Sequence, residues 1–310
     1  MSSQTGIDIL LTAPMPPGVA EDLAERFILH GPEVVESPGF AELAPRIRGL
    51  AARPPVPVTA ALLAALPNLE ILSSYSAGLE YVDLDAARRR GLVIANTSAA
   101  LTDDVADTAI ALMLATVRRF SAAERFVRAG AWAEGAFPLS RSLAGRRLGI
   151  IGLGHIGAAI AARAAVFGLS VGYHGPREKA AFPYPFHPTA EGLAAASDLL
   201  VVCCPGGPET RHLVNAAVLR ALGPGGVVVN VARGSVVDED ALLAALADGT
   251  IAGAGLDVCE HEPTPRPELI GHPDIVLLPH VGSATEETRA RMARMMRDAL
   301  VTHFAGKESV

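Results

Sequence analysis

The stretch Arg146–Gly157, "RRLGIIGLGHIG", sets a short apolar run against three glycines, and the helical run "AAIAARAAVFG" follows at once. Strand, glycine turn and helix in that order form the context in which G-x-G-x-x-G holds a pyrophosphate. Gly152 permits the tight turn, Gly154 lets the backbone approach phosphate oxygens, and Gly157 lets helix and strand pack closely. The first turn of the helix, with His155 and Ile156, then presents backbone N–H groups to the phosphates. A glycine pattern alone is weak, because glycines also serve turns. Its surroundings decide its meaning.

Five more apolar runs follow, "LSVGYHG", "DLLVVCCP", "GVVVNVAR", "IAGAGLDV" and "DIVLLPH", separated by helical segments. Six runs of this kind predict a parallel sheet covered on both faces, and hence an α/β fold. A second zone lies upstream. There "DILLTA" precedes a helix near Pro17–His30, and "LEILSSY" and "GLVIANT" flank a helix around Leu84–Arg90 that Gly91 ends. Between the zones, Thr102–Phe120 reads as one long helix with Thr102 as N-cap, acids in the first turn, and Arg118 and Arg119 in the last. The final helix, about Thr285–Phe304, spaces Met292, Met295, Met296, Leu300 and Phe304 as a core stripe. Packed back on the first zone, it would make that domain discontinuous in sequence.

A length of 310 residues allows two domains of ordinary size. The formal charge of −7 is spread along the chain with no Lys/Arg block, which argues against a nucleic-acid partner. Cys203, Cys204 and Cys259 lack metal-ligand spacing and read as buried free thiols of a reducing compartment; no metal is expected. The start of the chain reads as a first strand rather than a signal peptide, and no apolar run approaches the roughly 20 residues of a membrane span. A cytoplasmic protein without a membrane partner is the expectation.

Cofactor choice turns on Ser170–Lys179, "SVGYHGPREK". An acid at this strand end would bind the ribose hydroxyls of NAD and repel the 2′-phosphate of NADP. The place holds His174, Gly175 and Pro176, while Arg177 and Lys179 could meet a phosphate dianion. NADP(H) is favoured and NAD(H) possible.

Ligands on such sheets bind beyond the carboxyl ends of the strands. Three of those ends carry Arg233, the segment from Asp257 to Glu262, and His280. Together they suit hydride transfer. Arg233 can clamp a substrate carboxylate with two parallel hydrogen bonds, and His280 can exchange a proton with the carbonyl or hydroxyl oxygen. Glu262 beside the ring would hold its tautomer and favour its protonated form. Taken singly, each has a plainer reading: a surface arginine, a solvated acidic loop, a turn-capping histidine. His261 and His272 read as ordinary polar residues.

Six segments, "SAGLEYVDLDAARRRGLVIANT", "LTDDVADTAIALML", "SLAGRRLGIIGLGHIG", "VNVARGSVVDEDALLAAL", "IAGAGLDVCEHEP" and "LLPHVGSA", occur in this order across nearly the whole chain. In them the sequence resembles the D-isomer-specific 2-hydroxyacid dehydrogenases, and most the glyoxylate/hydroxypyruvate reductases among them. The resemblance implies two Rossmann-like domains with parallel sheets. Residues 1–98 and 286–310 would form the substrate-binding domain, completed by the C-terminal helix, and 99–285 the dinucleotide-binding domain. It also implies that Arg233, Glu262 and His280 are catalytic. The backbone at Ala77 and Gly78 would hold the substrate carboxylate beside Arg233, with Ser283 at the active site. Cofactor contacts would come from Thr108, the 152–157 loop, His174, Gly175, Arg177, Cys204, Pro205, Thr210, Val231, Ala232, Asp257, His280 and Gly282. Family members are usually homodimers joined through their dinucleotide domains, which suits the Thr102–Phe120 helix and the arm "RAGAWAEGAFPLSRS"; Trp132 in that arm would reach a partner's active site or anchor the dimer core.

The expected activity is reduction of a small 2-oxoacid by NADPH to the D-2-hydroxyacid, with the substrate in a cleft. Ser76-Ala77 stands where Gly-Val is common, and "NTSAAL" lacks a frequent Pro, which loosens any substrate assignment. Alternatives are a 2-ketogluconate or phosphite dehydrogenase, or a dinucleotide-sensing corepressor. The intact Arg233/Glu262/His280 set argues against the last.

Overall fold

Every strand pairing in the structure, a computed structural model that describes residues 6–305, is parallel. The strands form two sheets, each in its own compact unit. One unit comprises the described residues up to Leu101 with those from Thr285 onward, and the other runs from Thr102 to Ala284. The expected domains also took in residues 1–5 and 306–310, which lie outside the described residues.

In the first unit β1 (Asp8–Leu11), β2 (Ile28–His30), β3 (Ile47–Ala52), β4 (Ile71–Ser74) and β5 (Val93–Ala95) lie in the order β2-β1-β3-β4-β5. One face is covered by helix Glu286–Phe304, whose Met292, Met296, Leu300 and Phe304 join Ile9, Leu23, Phe27 and Ile71 in one core. Thr285 caps this helix by accepting the Thr288 N–H. Met295, the remaining methionine of the stripe, is half-buried.

Two features of this unit differ from expectation. The helix near Pro17–His30 is only Val19–Ala24, and Ile28–His30 is a strand. Pairing with β1 decides the latter: the Ile28 N–H donates to Ile7, and the His30 ring bonds the Asp8 carboxylate at 2.6 Å. Strand β3, "IRGLAA", was not expected, because its Ala and Gly residues are depleted in strands and give no strand pattern.

In the second unit β6 (Arg147–Ile151), β7 (Ser170–His174), β8 (Phe186–His187), β9 (Leu199–Val202), β10 (Val227–Asn230), β11 (Gly253–Leu256) and β12 (Ile275–Leu277) lie in the order β12-β11-β10-β9-β6-β7-β8. The chain reverses direction across the sheet between β6 and β9, which opens a crevice at their carboxyl ends. The sheet thus has seven strands where six runs were read; β8, with two residues, is too short to show a pattern. Helices 190–195, 216–222 and 239–247 pack Leu193, Val218, Leu219 and Leu242 on one face.

Helix Thr102–Val117 ends earlier than read, and Thr102 is its first residue rather than its cap. Arg119 takes a left-handed conformation (φ 54°), and a second helix, Phe120–Arg128, starts there. The Arg119 guanidinium lies 5.7 Å from the Phe137 ring centre and 4.0 Å from Asp274. These are tertiary contacts, and neither Gly nor Pro marks the break. Among the described residues no helix is long and apolar enough to cross a membrane.

Candidate active site

The register of the larger sheet sets its strand ends in one row. Ile151 pairs with His174 and Val202, Val202 with Asn230, Asn230 with Leu256, and Leu256 with Leu277. Six neighbouring loops leave from this row, and every expected site residue of this unit lies on them or at their base, apart from Thr108 and the residues His155, Ile156 and Gly157 in the first turn of helix His155–Val166. Thr108 stands on helix Thr102–Val117, where its hydroxyl is 3.5 Å from the Gly282 carbonyl. Ser283 follows directly and is half-buried.

At the end of β6, Gly152 has φ +100°, and a Cβ there would meet the Cys204 backbone nitrogen at 2.6 Å. A Cβ on Gly157 would meet the Gly152 carbonyl at 2.3 Å. Gly154 differs, because nothing lies within 4 Å of its Cβ position. Two glycines are thus closed by protein, and the middle one faces open space at the start of helix His155–Val166. The first-turn N–H groups of that helix have no intrahelical acceptor. Open space and aligned donors together fit a pyrophosphate.

The turn after β7 folds back on this loop. The Lys179 ammonium donates to the Leu153 carbonyl at 2.7 Å, and the Lys179 N–H donates to the Tyr173 hydroxyl at 2.7 Å. His174 bonds the His187 carbonyl through Nδ1 at 2.9 Å, Gly175 is half-buried and Arg177 is exposed. After β9, the Thr210 hydroxyl donates to the Pro205 carbonyl at 2.8 Å and closes that loop. Burial pushes the Cys204 thiol up to about 11 and Cys203 further still, so both are packing groups rather than nucleophiles. Among the described residues no three His, Cys, Asp or Glu side chains are placed to hold a metal ion.

The ends of β10, β11 and β12 bring three expected residues together. His280 Nδ1 lies 2.6 Å from Glu262 Oε2, while Glu262 Oε1 accepts the Cys259 N–H at 3.2 Å. Burial pushes the Glu262 carboxyl up, but the His280 hydrogen bond and charge, the Cys259 N–H and the Arg233 charge outweigh it and hold the group below its ordinary value. Arg233 is half-buried, and its Nη1 donates to the Ala232 carbonyl at 2.6 Å. An ionised carboxylate on Nδ1 leaves the Nε2 edge of the His280 ring for a substrate oxygen.

Buried Asp257 shapes the turn that presents His280. Its carboxylate accepts the Val281 N–H at 2.8 Å and the Gly282 N–H at 2.9 Å, and its carbonyl accepts the His280 N–H at 2.8 Å. His280 itself is left-handed, with φ 54°. Both carboxylate oxygens of Asp257 thus serve the protein backbone, in addition to the cofactor contact that the resemblance implies.

Sequence reasoning missed four residues. Buried Asn230 accepts the Ala232 N–H at 3.0 Å and donates to the Arg233 carbonyl at 2.9 Å, fixing the turn that contains Val231 and Ala232. Its signal was visible, as the polar end of "VVVN". A Cβ on Gly234 would stand 1.9 Å from the Cys259 carbonyl carbon, so only glycine lets the β10 and β11 loops meet. Glu239 and His212 complete the set and gave no signal. In the other unit, Ala77 and Gly78 are half-buried after β4, and Asn96 donates to the Ala77 carbonyl at 3.3 Å.

A family model described as D-isomer specific 2-hydroxyacid dehydrogenase, NAD binding domain, matches residues 110–282. A hydroxyphenylpyruvate reductase of Plectranthus scutellarioides is 44% identical over 303 residues, covering 97% of both chains. The chain belongs to the D-isomer specific 2-hydroxyacid dehydrogenases. A second relative of this dehydrogenase, glyoxylate/hydroxypyruvate reductase A of Arabidopsis thaliana, is 43% identical over 97% of both chains. Among solved structures, the NADPH-dependent glyoxylate/hydroxypyruvate reductase of Sinorhizobium meliloti, in complex with NADP and malonate, matches with a TM-score of 0.89 and 44% identity over 96% of this chain and 94% of that one. Arg233, Glu262 and His280 of the dehydrogenase all fall inside the matched segment.

Proposed function

We propose that this dehydrogenase reduces a small 2-oxoacid of the glyoxylate/hydroxypyruvate kind to the D-2-hydroxyacid and prefers NADPH to NADH. The observation that carries the reading is the Glu262–His280 pair at 2.6 Å with Arg233 on the adjoining strand end. Glu262, held ionised, accepts from His280 Nδ1 and fixes the tautomer and orientation of the ring. His280 then offers its Nε2 proton to the carbonyl oxygen as that oxygen gains charge. Arg233 takes the substrate carboxylate with its planar fork and aims the carbonyl at the histidine. The bound nicotinamide supplies the hydride. On the resemblance, the Ala77 and Gly78 amides and Ser283 also serve the substrate.

The cofactor reading rests on the missing acid after β7 and on the cations that follow it. Lys179 is tied to the glycine loop and Arg177 is exposed, which suits a ribose 2′-phosphate. The NADP-bound relative supports the same choice. Gly152, Gly154, His155, Ile156 and Gly157 would hold the pyrophosphate, and Thr108, Cys204, Pro205, Thr210, Val231, Ala232, Asp257 and Gly282 would line the rest of the cofactor path.

A homodimer joined through the 102–284 unit completes the proposal. Helix Phe120–Arg128 buries none of its residues in this chain, and Phe120, Val127, Trp132 and Leu139 are exposed, Leu139 at 99%. An apolar face of this kind on the arm supports pairing with a second copy. Free thiols at Cys203, Cys204 and Cys259 support a reducing, cytoplasmic setting.

Steady-state rates with NADPH and NADH test this function on glyoxylate, hydroxypyruvate, 4-hydroxyphenylpyruvate and 2-ketogluconate, and rates with NADP+ and NAD+ test it on phosphite, which is the hydride donor. NADPH with glyoxylate or hydroxypyruvate should give the highest kcat/KM. Faster turnover with NADH would reverse the cofactor reading. Turnover confined to 2-ketogluconate or phosphite would replace the substrate class, and no turnover on the panel would favour a dinucleotide-sensing binding protein.

A further inference from the structure

The loop that carries Glu262 is held from outside the catalytic set. The Glu260 N–H donates to Glu239 Oε1 at 2.7 Å, and the Glu260 carboxylate meets His212 Nε2 at 2.5 Å. Glu239 opens helix Glu239–Ala247 and is only 3% exposed. Its Oε2 is buried and takes no hydrogen bond. A buried carboxylate oxygen without a donor is costly, so the sequence bears a penalty at a position where an apolar side chain would pack without one. The return is a fixed Glu260 backbone, two residues before Glu262.

His212 shows the same bias toward position. It has φ 50°, a left-handed conformation, and its N–H donates to the Ser235 carbonyl at 2.8 Å. Its Nδ1 faces Asp238 at 3.8 Å, while its Nε2 holds Glu260. Around Glu239 the charged or titratable neighbours are Arg266 and Cys259; around Glu262 they are His280, Arg233 and Cys259. Gly234 closes the arrangement by pressing the β10 loop onto the Cys259–Glu260 backbone.

We infer that Glu239 and His212 are positioning residues, which through Glu260 hold the loop so that the Glu262 carboxylate stays on His280 Nδ1. The inference rests on the reading of Glu262 and His280 given above. Removing either support leaves the loop with one of its two outside ties, and a carboxylate displaced by a fraction of an ångström no longer orients the ring. His212 follows the Pro205–Thr210 loop, which places this support beside the proposed cofactor path.

The test uses the full chain with NADPH and the best 2-oxoacid, in single variants and in a Glu262→Gln background. Glu239→Ala and His212→Asn should each lower kcat about tenfold, with the KM for NADPH within about twofold of wild type. Glu239→Gln keeps an acceptor for the Glu260 N–H and should stay within about threefold of wild type. In the Glu262→Gln background, neither disruptive change should cost more than about twofold further. Equal losses in both backgrounds, or a loss confined to the KM for NADPH, would overturn the inference. Asn accepts the left-handed conformation at 212, so His212→Asn decides if Glu239→Ala does not fold. The Glu262 carboxyl titration, followed by carbon NMR, is read alongside. In both disruptive variants its midpoint should rise toward the ordinary carboxylate range, and an unmoved midpoint overturns the inference. Should Glu262→Gln itself leave turnover intact, the catalytic reading fails, and the positioning claim is then judged on that titration alone.

Discussion

Asp257 Oδ2 accepts the backbone N–H of Gly282 at 2.9 Å, from the end of one strand to the turn beyond the next. With the parallel bond to Val281, this buried carboxylate sets the left-handed turn from which His280 projects. Asp257→Asn keeps the shape but replaces one acceptor by a donor facing a donor. The expected result is a stability loss of about 2 kcal/mol together with a marked fall in kcat. Urea unfolding and steady-state kinetics on the same preparation check it, and an unchanged midpoint would mean that the turn holds without this carboxylate.

His280→Ala should lower kcat by about 10²- to 10⁴-fold, the usual contribution of a positioned acid or base. NADPH binding, followed by fluorescence, should be preserved. Arg233→Ala should act chiefly on the KM for the 2-oxoacid, because in the proposed function the guanidinium holds the carboxylate rather than the reacting carbon. Near-normal turnover in the first variant, or an unchanged KM in the second, removes the assigned role.

The Glu262 carboxyl is held below its ordinary value, and this carries a sign for stability. A depressed folded value stabilises the native state above the unfolded pKa of about 4.3, and the contribution is lost as pH falls through the folded value. Thermal melts of wild type and Glu262→Gln should therefore differ by a constant amount near neutral pH and converge in acid. A gap that instead widens in acid would contradict the assignment.

Cofactor preference should separate Arg177 from Lys179. Arg177 is exposed, so Arg177→Ala should cost NADPH about tenfold or more in kcat/KM while leaving NADH nearly unchanged. Lys179 also bonds the Leu153 carbonyl, so Lys179→Met should weaken both cofactors by loosening the turn from the glycine loop. A preference unmoved by Arg177→Ala would leave the turn without a part in cofactor choice.

The alternation of apolar runs with helical segments, and the glycines at 152, 154 and 157, were legible in the chain because they are local. From them came the α/β class, the glycine turn and the strand ends that carry Arg233, Glu262 and His280. The Ile28–His30 strand, the Ala-rich strand Ile47–Ala52 and the break at Arg119 were not legible, because partners distant in sequence outweigh the local preference at each. Proximity of the three catalytic candidates came from the shared register of β10, β11 and β12, which only the assembled sheet provides. The same holds for Asp257, Glu239 and His212. Asp257 reads in the sequence as a cofactor contact, and Glu239 and His212 give no signal there; only burial and backbone partners supplied by other segments place them around the Glu262–His280 pair.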